Sequence, residues 1–341
     1  MLKMRMAIEG LGVVGGFGCG LEALQEALDK GRVEPSRAVI ETDMGQKEIP
    51  VFLAETTRLE EFFQKRKLRR IDHHSKLALL TASMALKDAG RFGEDQSRTG
   101  VVVATGYGPL GTTYAFLDAF SSPTHFASSV HNVAAAYAAI FLKATGPSLT
   151  VSQFDMSVSS ALLTAWCWLR DGCVDRVLFG AVDDYSAVLG YCYHRFFSLG
   201  DNPDVPMEPL SFGKQTAIPG EGSAFFVLSR DEAQTKYGCI TGVANGVGVA
   251  DLPAIPQDQP LIIGADGHGE TGHHYGALTV DRDVTCFSPF YGSLPTGQAF
   301  DMAAALLSPD SETISSLLCL KISGKGEIGL IRMGKILRGR R

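Results

Sequence analysis

Apolar and polar positions along this chain follow two rhythms, one of strands and one of helices. Met6 to Val14 alternates with glycine and predicts a buried first strand, which ends in a Gly-rich turn before a helix over Leu21 to Gly31. A longer helix is predicted from about Asp72 to Ala89, where Leu77, Leu80, Met84 and Leu86 fall at helical spacing and Gly90 marks the stop. Thr99 to Thr105 is a continuous apolar strand that turns at Gly106-Tyr107-Gly108 toward the segment Thr112 to Phe120. Gly146-Pro147 opens the apolar, β-branched run Leu149-Thr150-Val151, and small residues then start a helix over Ser157 to Leu169. Arg176 to Ala181 and Gly220 to Leu228 read as further buried strands.

Beyond Arg230, strands are predicted at Gly238 to Asn245, Pro260 to Ala265, Thr285 to Phe287, Leu317 to Ile322 and Glu327 to Met333, with one helix at Thr296 to Leu307. Ala250 to Pro260 is a proline-rich connection. Strands alternating with helices imply an α/β protein with a largely buried sheet.

Composition narrows the function classes. The 341 residues carry a net charge of -6, which argues against a nucleic-acid partner, and no apolar run reaches the ~20 residues of a membrane helix. The N-terminus has charges at Lys3, Arg5 and Glu9 and lacks the apolar core of a signal peptide, so a cytoplasmic location is expected. The seven cysteines show no CxxC pair and fit small buried hydrophobes in a reducing compartment.

Candidate chemistry is sparse. Gly10-Leu11-Gly12-Val13-Val14-Gly15 satisfies the G-x-G-x-x-G spacing of a dinucleotide site, but no second βα unit with an acidic ribose ligand follows, and no cofactor is expected. His268, His273 and His274 with Asp266 and Glu270 are rich in ligand types, yet the glycines between them and the lack of a predicted helix leave nothing to fix a metal, and none is expected. Asp183-Asp184 reads as a solvated loop after a strand. Asp155 precedes a helix, where a carboxylate commonly serves as a cap. Lys65, Arg66, Lys67, Arg69 and Arg70 form a basic run, either a solvated face or a patch that steers an acidic partner.

The stretch Gly146-Pro147-Ser148-Leu149-Thr150-Val151-Ser152-Gln153-Phe154-Asp155 closely resembles the nucleophile elbow of the β-ketoacyl synthases, members of the thiolase superfamily, G-P-x-L-T-V-S/D-T-A-C. Gly10 to Gly15, the helix after Arg69-Arg70-Ile71-Asp72, the segment Ser121 to Tyr137 and Gly220-Glu221-Gly222 resemble further family motifs. The resemblance implies a thiolase-like duplicated βα fold, layered α/β/α/β/α, with halves at 1–230 and 231–341 and the second half shortened, since the family inserts a helix where Ala250 to Pro260 stands. It places Asp155 at the acyl-accepting cysteine, Asp266 at the first histidine, Ser288 at the lysine and Ser293 at the second histidine. His268 falls two places late, on the wrong side of an alternating strand end. Ile322 to Gly329 stands at the gating loop, with Lys325 and Glu327 as new charges.

A carboxylate at the cysteine position would form a mixed anhydride, so a condensing role is not expected. The resemblance instead implies a subunit of the chain-length-factor type, which pairs with an active ketosynthase, or with itself, and receives an acyl carrier protein. Thr112, Thr113, Phe116, Phe120 and Phe126 are then the candidates for the acyl-tunnel end, and the basic run Lys65 to Arg70 for carrier docking. Two alternatives stand beside it: a thioester hydrolase or decarboxylase using Asp155 and Asp266, and a homodimeric acyl-binding protein.

Overall fold

The structure is a computed structural model that describes residues 2–119, 122–201, 205–248, 255, 259–276, 278–308 and 316–334. Its strands are β1 (Leu2–Gly15), β2 (Gly18–Cys19), β3 (Ser36–Thr42), β4 (Gly45–Val51), β5 (Thr99–Thr105), β6 (Ser148–Ser152), β7 (Arg176–Asp183), β8 (Gly222–Ser229), β9 (Cys239–Val247), β10 (Leu261–Ile263), β11 (Val284–Thr285), β12 (Ser316–Ile322) and β13 (Glu327–Gly334). The helices are α1 (Leu21–Lys30), α2 (Lys65–Leu68), α3 (His73–Asp88), α4 (Leu110–Ala119), α5 (Pro123–Ser128), α6 (Val133–Leu142), α7 (Ser157–Arg170), α8 (Ala187–Phe197), α9 (Gly269–Gly276), α10 (Ser288–Tyr291) and α11 (Gly297–Leu307).

Hydrogen bonding runs through one sheet in the order β6-β5-β7-β8-β1-β9-β13-β12-β10-β11, with β2 beside β1. Two wings meet at β1 and β9, and the pattern repeats: in each wing the three outer strands are parallel and the two inner ones antiparallel. The wings fold over a shared layer of helices. Val102 and Phe179 of one wing, and Cys319 and Ile331 of the other, pack in a single core with Ala161 and Leu162 of α7 and Phe300 and Met302 of α11. The alternate strand residues face outward into two further cores. Val101, Val103 and Leu178 meet α3 and α6 on one side, while Leu318, Leu320 and Leu330 meet Tyr275 of α9 on the other. This is the expected α/β/α/β/α layering.

The G-x-G segment is explained by packing. A Cβ on Gly10 would lie 2.3 Å from the Ala85 carbonyl oxygen and one on Gly12 2.2 Å from that of Thr81, so both glycines let α3 press its backbone onto β1. They sit in mid-strand and form no phosphate loop.

Residues 248–260 separate β9 from β10, whereas the equivalent connection in the first wing carries the 16-residue α3. Most of the proline-rich connection, 249–254 and 256–258, lies outside the described residues. Part of the outer cover comes from Tyr275, fully buried and stacked on Phe212 at 6.4 Å between ring centroids. The glycines between His268 and His274 do not prevent a helix there. α9 is held against β12 by the buried Tyr275 side chain, whose Oη accepts from the Ile322 amide at 2.8 Å. Among the described residues no helix is long and apolar enough to cross a membrane.

Candidate functional site

At the end of β6 the chain makes a tight turn before α7. Phe154 adopts a left-handed conformation, φ 44°, which costs a non-glycine residue roughly 1–3 kcal/mol. The strain is held by Ser157, whose Oγ accepts from the Gln153 amide at 2.7 Å and donates to the Thr105 carbonyl at 3.0 Å. Asp155 is thereby turned away from the helix end. The cap expected from the sequence is absent: Met156 occupies the N-cap position of α7 with no side-chain hydrogen bond. The carboxylate goes to a partner that the sequence reading missed.

That partner is Lys321. On β12 the residues Leu317, Cys319 and Lys321 share the inward face, so the lysine reaches the central layer from within the sheet. Nζ lies 3.2 Å from Asp155 Oδ1, 3.1 Å from Asp266 Oδ2 and 3.0 Å from the Gly264 carbonyl oxygen. Three ammonium protons meet three acceptors. Ser293 Oγ also donates to Asp266 Oδ2, at 3.2 Å. Two of the four positions matched to family catalytic residues therefore meet at one lysine, and a third, Ser293, joins them through Asp266. Ser288, the fourth, is fully buried and braces the end of β10 through its bond to the Ala265 carbonyl at 2.7 Å.

Electrostatics follow from burial and pairing. Burial pushes the Asp155 carboxyl up, and Lys321 offsets this only in part. At Asp266 burial acts in the same direction but is outweighed chiefly by the Lys321 charge, with a hydrogen bond from the His268 backbone adding to it, and the carboxyl sits below its usual range. Burial would lower Lys321, yet Asp266 and Asp155 raise it well above the normal lysine value. The ammonium and the Asp266 carboxylate are thus ionised at neutral pH, and neither is poised for proton transfer. A further acid lies behind them. Asp301 of α11 is fully buried, accepts from Tyr291 Oη at 2.7 Å, and is pushed up to about 7 by burial.

His268 also joins the site, contrary to the strand-alternation reading. Gly267 has φ 81°, and a Cβ there would lie 2.7 Å from the Ala217 amide nitrogen, so only glycine makes this turn and strand periodicity ends before it. Gln215 Oε1 accepts from the Gly269 amide at 3.0 Å, which aims its Nε2 at His268 Nδ1, 3.3 Å away. His268 then carries its proton on Nε2 and donates to Tyr193 Oη at 3.1 Å. Tyr193 donates to Ser293 Oγ at 3.0 Å, and Ser293 donates to Asp266. This one-way chain forms the inner end of a cleft of about 540 Å³, between the residues around Tyr107, α8 and α9. His273 and His274 stay on α9 with rings 4.0 Å apart.

Asp183, read as solvated, is fully buried and ties the Gly106–Tyr107 turn and Thr296 together; Asp184 is buried beside His74 at 3.4 Å. Thr112, Thr113 and Phe116 lie on α4, with Phe116 5.4 Å from the exposed Phe126 between ring centroids. Phe120 lies outside the described residues. Arg66, Lys67, Arg69 and Arg70 surround a surface hollow of about 440 Å³, with Lys65 paired to Glu60 at 3.3 Å.

Residues 5–234 match the family described as "Beta-ketoacyl synthase, N-terminal domain". Among similar proteins, one from Streptomyces rimosus assigned as oxytetracycline polyketide β-ketoacyl synthase 1 is 27% identical over 278 residues, 74% of this chain and 65% of that protein. The 3-oxoacyl-[acyl-carrier-protein] synthase 2 of Rhizobium meliloti is 26% identical over 67% of this chain and 59% of its own length. This chain thus spans less than two thirds of either. The ishigamide ketosynthase/chain length factor superposes with a TM-score of 0.75 at 18% identity, over 98% of this chain and all of that one. The ketosynthase ApeO in complex with its chain length factor ApeC, from Xenorhabdus doucetiae, gives 0.74 at 14%, with the same coverage. With the matched region covering more than half of its length and the repeated wings folding like these structures, the chain belongs to the β-ketoacyl synthase family of the thiolase superfamily.

Proposed function

We propose that this chain is a non-condensing ketosynthase-like subunit of the chain-length-factor type, which pairs with an active β-ketoacyl synthase and shapes its acyl tunnel. One observation carries the reading: the carboxylates of Asp155 and Asp266 share Lys321, and no thiol stands at the elbow. Acyl transfer from a thioester needs a soft nucleophile, and an ion-paired carboxylate is a poor one. Condensation also needs neutral donors facing the developing oxyanion. Here the Lys321 ammonium is taken up by Asp155 and Asp266, so it is not left to receive a malonyl carboxylate or to steady its carbanion.

Surface features support the partnership. Among the described residues β6 is an edge strand bonded on one side only, and Leu149 on it and Phe154 just beyond it are exposed apolar residues. The hollow at Arg66 to Arg70 has the charge to receive an acidic carrier protein.

The test is reconstitution. The chain alone should give no condensation product from an acyl-thioester and malonyl-carrier protein, and Asp155→Cys should not restore it, since Asp266 and Ser293 stand at the positions of the two histidines that would generate the carbanion. Coexpressed with an active β-ketoacyl synthase as the proposed partner, the chain should copurify in a complex burying more than about 2,000 Å². Turnover by the chain alone that Asp155→Ala abolishes would overturn the reading.

A further inference from the structure

The cleft next to the carboxylates has a character of its own. Its walls are Tyr107, Val188, Cys192, Tyr193 and Phe197, with His268 at the inner end, and its exposed surface is overwhelmingly apolar. The rings are arranged edge to face. Tyr193 and Phe197 have centroids 5.5 Å apart at 77°, and Phe197 and His268 4.8 Å apart at 66°. Such a cluster presents ring edges and faces to a guest, which favours another ring over a flexible alkyl chain.

Hydrogen bonding and charge define what the guest carries. The proton of Tyr193 is donated to Ser293, that of His268 Nε2 to Tyr193, and the hydroxyl of Thr271 to the His268 carbonyl at 3.0 Å, so none of these waits for a carbonyl or carboxylate. Among the described residues that line the cleft, Glu270 alone is an acid, and no lysine or arginine lines it. The ion-paired carboxylates behind the wall have the same sign. An anionic head group would meet repulsion and find no cation.

We propose that this cleft is a binding site for the uncharged aryl end of a small molecule, held reversibly and without covalent attachment. The inference rests on the non-condensing reading in one respect, that no nucleophile stands at the inner end of the cleft.

The test uses the intact chain and three probes of similar size: 2-naphthol, 2-naphthoate and 1-octanol. By titration calorimetry, 2-naphthol should bind saturably and at least about tenfold more tightly than either of the others, the size of one added aromatic contact. In parallel, saturating 2-naphthol should slow alkylation of Cys192, read by peptide mass spectrometry against the exposed Cys173 in the same sample. Val188→Trp, which fills the cleft from α8, should abolish binding. If that variant does not fold, the Cys192 protection on the unaltered chain decides. Equal or tighter binding of naphthoate or octanol, or unchanged Cys192 reactivity, would overturn the proposal. None of these outcomes bears on copurification or condensation, so failure here is distinguishable from failure of the subunit reading.

Discussion

Lys321 holds the site together, and removing it exposes what it balances. Lys321→Met would leave two carboxylates facing each other in the interior with no cation, at a cost of about 3–5 kcal/mol, less whatever solvent reaches Asp155. Urea denaturation should show that loss at neutral pH. The triple variant Asp155→Asn/Asp266→Asn/Lys321→Met should regain most of it, because no charge then remains unpaired. If Lys321→Met alone were neutral, the pairing would not be formed in solution. Asp301 makes the opposite case. Its folded pKa is raised, from 3.8 to about 7, so the native state holds a proton that the unfolded chain releases. Stability from this group is therefore present at acid pH and declines as pH rises through that window. Asp301→Asn should flatten the decline and raise stability at pH 8 by up to about 4 kcal/mol. An unchanged pH slope would mean that Asp301 is ionised at a normal value. The sequence disclosed these residues unevenly. Asp155, Asp266 and Ser293 were legible through their motif register. Lys321 was not, since a lone lysine in the strand L-L-C-L-K-I reveals its role only through pairing with Asp266, 55 positions away.

Among the elements, those whose apolar period decides their burial were the most legible. α3, α7 and α11 came within a residue or two of the predicted bounds, because each buries a continuous stripe. α9 was not legible, as its glycines have poor intrinsic helix propensity and only contact with β12 selects the helix. His268 was misplaced for a related reason, the alternation of a strand having been carried past Gly267. β6 makes a prediction of its own. Its outer edge is free of any strand among the described residues, and Leu149 is 43% exposed on it. Leu149→Lys should therefore leave the thermal midpoint of the isolated chain within a degree or two, while preventing association with the proposed partner in light scattering. An intact complex with that substitution would place the interface elsewhere.

At the scale of the molecule, the repeated wings put the two helix-starting junctions, α7 after β6 and α11 after β11, back to back in the central layer. Here the junctions enclose Lys321 with Asp155 and Asp266, and under the proposed subunit role the chain would act on its partner through its surface. α4 is the element to test. It is a helix, so Thr112 and Phe116 lie one turn apart on a common face, and the Phe116 ring meets Phe126 of α5 at 5.4 Å. In the proposed pairing this corner closes the partner's tunnel, and side-chain bulk there limits how far a chain can grow. Phe116 is only partly buried in the isolated chain, so truncation costs less folding energy than the loss of a core phenylalanine. Coexpressed with the active synthase, Phe116→Ala should lengthen the products while leaving the initiation rate almost unchanged, as read by mass spectrometry of the carrier-bound chains. The same product length from an intact complex would show that Phe116 and Phe126 merely pack α4 on α5.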